Sequence, residues 1–88
     1  MDEEKKPIAW TALESGTPVV AEDGSEVGKV SKVVGDENKD IFSGILFRAG
    51  FFDSEHFIPG DLVEDITPQG VRVRISAQAA KELGPYNA

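Results

Sequence analysis

His56 is the only histidine in the chain, and Asp53, Glu55, Asp61, Glu64 and Asp65 lie close to it in sequence. A histidine among carboxylates can serve acid–base chemistry or hold a cation. The spacing argues against both. A two-histidine zinc set cannot be completed within one chain, and no H-x-x-x-H or H-x-x-E-H pattern occurs. A serine nucleophile paired with His56 would need a sharp strand-to-helix turn. Ser25 instead stands in Gly24-Ser25-Glu26-Val27-Gly28, which is not G-x-S-x-G and reads as a hairpin. Asp36-x-Asn38-x-Asp40 opens like a calcium loop, but the sixth position is Ile41 rather than glycine and the twelfth is Phe47 rather than glutamate. Gly28-Lys29-Val30 lacks the preceding glycine and the serine or threonine of a phosphate loop. Adjacent strand acids such as Glu64-Asp65 point to opposite faces and form no dyad across a cleft. No catalytic, cofactor-binding or metal-ligating residue is therefore assigned. No cofactor is expected, and the chain is expected not to be an enzyme. His56 is expected to stand exposed on a strand. A small ligand- or ion-binding protein using the His56 region is one alternative.

Two features suit binding. Phe51-Phe52 follows Gly50 in a loop. If buried, the two rings would cap a core; if one is exposed, it would anchor an interface. The strand Ile41 to Ala49 carries Ile41, Ile45 and Phe47 on one face and Phe42 and Leu46 on the other, so both faces should be covered. Phe42, Leu46, Phe51, Phe52 and His56 are accordingly the candidate protein-interface residues. The second feature is the row Arg72 and Arg74, which Lys29, Lys32 and Arg48 could extend into a basic face. Single-stranded RNA would suit such a face if aromatic rings lay beside it. A solvated sheet face is the favoured account.

The composition bounds these readings. Eighty-eight residues make one domain with a thin core, which buries about 60–65% of the unfolded chain's surface. Nine basic against sixteen acidic residues give a formal net charge of -7. That balance excludes a duplex DNA binder in this reading, disfavours RNA and disfavours an anionic membrane surface. Without cysteine there is no disulfide, thiolate metal site or cysteine nucleophile. Neither an apolar leader nor a stretch near 20 apolar residues occurs, so no membrane insertion and a cytoplasmic location are expected.

The elements that must position these residues are short. Residues 1–7 read as a frayed or disordered tail, 8–84 as a single domain and 85–88 as a C-terminal tail. Thr11 and Glu14 have capping-box spacing, which predicts a helical turn with Trp10 and Leu13 plugging one end of the core. Strands are predicted at 17–21, 26–34, 41–49, 55–59, 62–67 and 71–75. Asp23-Gly24 predicts a tight hairpin, and the irregular apolar spacing around Gly28 predicts a bulge or bend there. The strand at 62–67 is expected to begin as a half-turn. In the last strand Val71, Val73 and Ile75 should face in, with Arg72 and Arg74 out. Ser76 caps a helix over 77–83, whose inner face is Ala80 and Leu83, and Gly84-Pro85 stops it.

Asp23-Gly24-Ser25-Glu26-Val27-Gly28-Lys29-Val30-Ser31-Lys32-Val33-Val34 is similar to the opening hairpin of the PRC-barrel family. The apolar strand Ile45-Leu46-Phe47 and then Phe57-Ile58-Pro59-Gly60-Asp61-Leu62-Val63 resemble its later strands, and the likeness spans roughly Leu13 to Ile75. The resemblance implies an all-β fold, a small six-stranded barrel, here followed by a short C-terminal α-helix. It implies a small standalone prokaryotic member acting as an adaptor or assembly domain, and it transfers no functional residue. The expected role is a non-enzymatic protein-interaction or assembly module with a protein partner, self-associating as a homodimer. An accessory protein of RNA metabolism or ribosome maturation is the other alternative.

Overall fold

The computed structural model describes residues 10–36, 38–50 and 53–84. The predicted tails, together with Phe51 and Phe52, lie outside them. A 3-10 turn, Trp10–Ala12, precedes β1 (Pro18–Val20), β2 (Glu26–Asp36), β3 (Ile41–Arg48) and β4 (His56–Pro59). A second 3-10 turn, Gly60–Leu62, leads into β5 (Val63–Thr67) and β6 (Gly70–Val73), and α1 (Ala77–Lys81) follows. The predicted half-turn before β5 is this second 3-10 turn. α1 is shorter than the predicted helix, and Ser76 caps it as expected, its hydroxyl accepting the Ala79 N–H at 3.1 Å.

The strands form one sheet in the order β4-β3-β2-β1-β6-β5, with β1 and β6 parallel and the other neighbours antiparallel. The class is all-β. The sheet wraps one core without closing, because β4 and β5 do not pair; Pro59 and the second 3-10 turn make that corner. Phe47, Ile45, Ile58, Val19, Val71 and Val73 are its largest fully buried side chains. Removing a side chain of this kind from water stabilises by about 1.5–3 kcal/mol.

Phase breaks in β2 and β3 decide which side chains reach that core. Val19 faces Gly28 while Val20 faces Glu26, which leaves Val27 as an extra residue beside the predicted bulge at Gly28. Ser31 and Ser43 are extra residues in the β2–β3 pairing. Each single-residue break moves the side chains beyond it to the opposite face. Strict alternation along β3 places Ile41 with Ile45 and Phe42 with Leu46. The break at Ser43 reverses this: Phe42 packs against the core, whereas Ile41 is 51% exposed.

Gly44 sits beside that break with φ +156°. A Cβ there would collide with the Ile58 carbonyl and approach the Phe57 ring to 2.7 Å. In the β1–β2 turn, Asp23 accepts hydrogen bonds from the Ser25 hydroxyl at 2.7 Å and the Ser25 N–H at 3.0 Å. The hydroxyl bond first, and then the backbone bond, hold the Asp23 carboxyl below its ordinary range.

Gly44→Ala is expected to lower unfolding stability by about 2 kcal/mol or more, read from urea denaturation. Ser25→Ala is expected to raise the Asp23 pKa toward its ordinary value in an NMR titration. Because the folded pKa is the lower one, the contribution of Asp23 to stability is present above its unfolded pKa. It disappears as pH falls through the folded value.

Candidate functional site

The interface candidates do not form one patch. Phe42 stacks on Trp10, with ring centroids 5.5 Å apart and planes 27° apart, and Gly60 lies against its other edge. It is half-buried and packs against the core that Leu13, which is buried, belongs to. Leu46 lies on the opposite face of β3, outside the core cluster, and is still only 9% exposed. Phe51 and Phe52 fall outside the described residues.

His56 is half-buried rather than exposed. Its ring lies 5.3 Å from that of Phe47, and its Nδ1 is 2.7 Å from the Leu83 carbonyl oxygen. A carbonyl only accepts, so Nδ1 carries the proton and donates. The neighbouring Phe57 N–H donates to the Gly84 carbonyl at 2.9 Å. These two bonds fix the segment after α1 against β4 and draw Leu83 onto the core. The acids around His56 in sequence have other placements. Glu55 turns to Arg48 at 3.4 Å and accepts the Ser31 hydroxyl at 2.7 Å, while Asp61, Glu64 and Asp65 are exposed on other elements. Among the described residues no three His, Asp or Glu side chains converge as a metal-holding group. Asp36 Oδ1 accepts the Asn38 N–H at 3.0 Å, which closes the turn that opened like a calcium loop.

Strand pairing extends the second face of β3, on which the periodicity placed Leu46, into rows that run across the sheet. Paired residues share a face. The rows Lys32–Leu46–Phe57 and Val34–Gly44–Pro59 therefore point away from the core. Lys29 is directly opposite Arg48 in the next row. Two like charges in that relation repel, and each has an acid beside it: Glu26 at 3.1 Å from Lys29, Glu55 at 3.4 Å from Arg48. Further across the sheet Asp65, Arg72, Val20 and Glu26 form another outer row. Arg72 and Lys29 thus lie on one surface, as the basic-row reading required, but Glu26, Glu55 and Asp65 are interleaved with them.

The sheet edges are less available than its face. The Phe57 N–H on the outer side of β4 is already bound to Gly84, and Pro59 has no N–H to offer. β5 is interrupted at Glu64, carries Glu64 and Asp65, and ends before Pro68. A bulge, charges and proline are the usual protections of an exposed strand.

A family model for the PRC-barrel domain matches residues 15–80 of the chain. The chain belongs to the PRC-barrel family. A search of curated proteins returned no match. The match runs from the end of the first turn into α1, so the hairpin, the two-faced β3 and the Pro59 corner are all inside the PRC-barrel unit. No helix among the described residues is long and apolar enough to cross a membrane.

His56→Phe keeps a ring against Phe47 and removes the bond to Leu83. It is expected to cost about 1 kcal/mol in denaturation and to speed hydrogen exchange at the Phe57 amide, whose acceptor is in the released segment.

Proposed function

We propose that this PRC-barrel domain is a non-enzymatic protein-interaction module that self-associates through the outer face of β2, β3 and β4. The observation that carries the reading is the apolar strip outside the core: Leu46, 9% exposed, with half-buried Val34, Phe57 and Pro59 around it. A sheet surface that faced only water would alternate to polar residues here. Lys32 and Arg48 border the strip, and acids dominate the turns of the same chain. Glu55 lies 3.4 Å from Arg48, so a second copy set on the same patch meets a carboxylate as well as cations at the border. Protected edges support face-to-face association over strand addition. A two-fold pair suits a single self-complementary patch.

The test is sedimentation equilibrium of the purified chain at tens of micromolar. A dimer is expected, and Val34→Glu is expected to weaken it at least tenfold with little change in thermal midpoint. A strict monomer at that concentration refutes self-association. A dimer indifferent to Val34→Glu refutes the assigned face.

A further inference from the structure

After β6 the backbone stays bonded to the sheet as far as Ile75. The Arg74 N–H donates to the Leu62 carbonyl at 2.8 Å, and the Ile75 carbonyl accepts the Glu22 N–H at 2.9 Å. From Ser76 onward the bonds turn inward. The Ala80 N–H donates to the Ser76 carbonyl at 3.0 Å, the Glu82 N–H is shared between the Gln78 and Ala79 carbonyls, and the Leu83 N–H donates to the Ala80 carbonyl at 3.3 Å. Among the described residues, two hydrogen bonds join residues 76–84 to the rest of the molecule, and both end on β4. His56 Nδ1 donates to the Leu83 carbonyl at 2.7 Å, and the Phe57 N–H to the Gly84 carbonyl at 2.9 Å.

The side chains behind these bonds are few and small. Ala80 is fully buried, Ala77 and Leu83 are half-buried against the core, and Gln78, Lys81 and Glu82 are exposed. Lifting this segment returns far less apolar surface to water than unfolding the sheet, which also exposes Phe47, Ile45 and Ile58. α1 has five residues, well under the ~12–15 that a helix needs to persist alone. It keeps its shape only while docked, so undocking and melting are one event. The opposing side is already prepared. The His56 ring rests 5.3 Å from the ring of the fully buried Phe47, a contact within the sheet that keeps Nδ1–H aimed when Leu83 leaves.

We propose that α1 and residues 82–84 form a strap that opens as one unit about Ser76, with the His56 ring as its latch, and that opening bares the outer edge of β4 while the sheet stays folded. The anchors assign the hinge: Ile75 is bonded to Glu22 on one side of Ser76, and α1 begins on the other. Opening frees the Phe57 N–H, so the closed strap is the cover of that edge. The strap works within one molecule and stands or falls separately from self-association.

The test is amide hydrogen exchange of the full chain, followed by NMR at urea concentrations below the unfolding transition. Phe57, Ala80, Glu82 and Leu83 are expected to share one opening equilibrium, at least tenfold less protected than Val30 and Arg74 and nearly independent of urea. Val30 and Arg74 should speed steeply with urea, because exposing them requires unfolding the sheet. His56→Phe is expected to raise the opening of the four strap amides together, about fivefold. Val19→Ala, a truncation of a fully buried side chain on β1, should speed Val30 and Arg74 and leave the four unchanged. The proposal is overturned if the four amides follow urea as steeply as Val30, if they respond to His56→Phe separately, or if Val19→Ala speeds them as much as it speeds Val30. Arg74 exchanging with the strap overturns the hinge at Ser76. Should Val19→Ala fail to fold, the urea dependence of the unsubstituted chain still decides.

Discussion

The pairing of β2 with β3 is the constraint on which the rest of this domain depends. Side chains alternate with a period of two, so an unmatched residue in one strand reverses the facing of all that follow. Ser31 and Ser43 are two such residues. The first lets Val30 and Val33 both reach the core, three positions apart. The second sends Phe42 inward against Trp10 and leaves Ile41 in water. Between the two breaks β3 supplies Ile45 to the core and Leu46 to the outside. One eight-residue strand thereby fills both sides of the sheet.

That arrangement suits a chain with little core to spare. A strictly amphipathic sheet would leave the outer face of β3 polar; here Leu46, Phe57, Val34 and Pro59 form a second apolar layer without joining the first. Gly44 must be glycine because a side chain there would meet the Ile58 carbonyl first and then the Phe57 ring of this layer. The edges are closed by His56 and Phe57 holding the C-terminal segment, by Pro59, and by the acids and interruption of β5. With the edges protected, strand addition has little open backbone to use among the described residues.

Much of the fold was legible because it was written in local chemistry. Asp23-Gly24 marks a tight turn, Ser76 a helix cap, and Val71 to Val73 a one-sided strand, all within a few neighbouring residues. The irregular valine spacing around Gly28 signalled a break, though not that a second would follow at Ser31. The likeness to the PRC-barrel family was legible from the order of the hairpin, apolar strand and proline-terminated strand. The placement of Phe42 was not, because serine at position 43 carries no local mark of an unmatched residue. Nor was the role of His56. Its neighbours in sequence are acids, but its partner is the backbone of Leu83, 27 residues on.

The sequence by itself determined the elements and their class: short β-branched strands, Gly and Pro turns, no cysteine, and too few apolar residues for more than one core. These depend on backbone preference and composition, which act within a few residues. Tertiary structure alone decided which face each side chain occupies and which charges become neighbours. Register between strands is set by the whole sheet at once, so Lys29 meets Arg48 and Val20 meets Arg72 only after β1, β2, β3 and β6 have all paired.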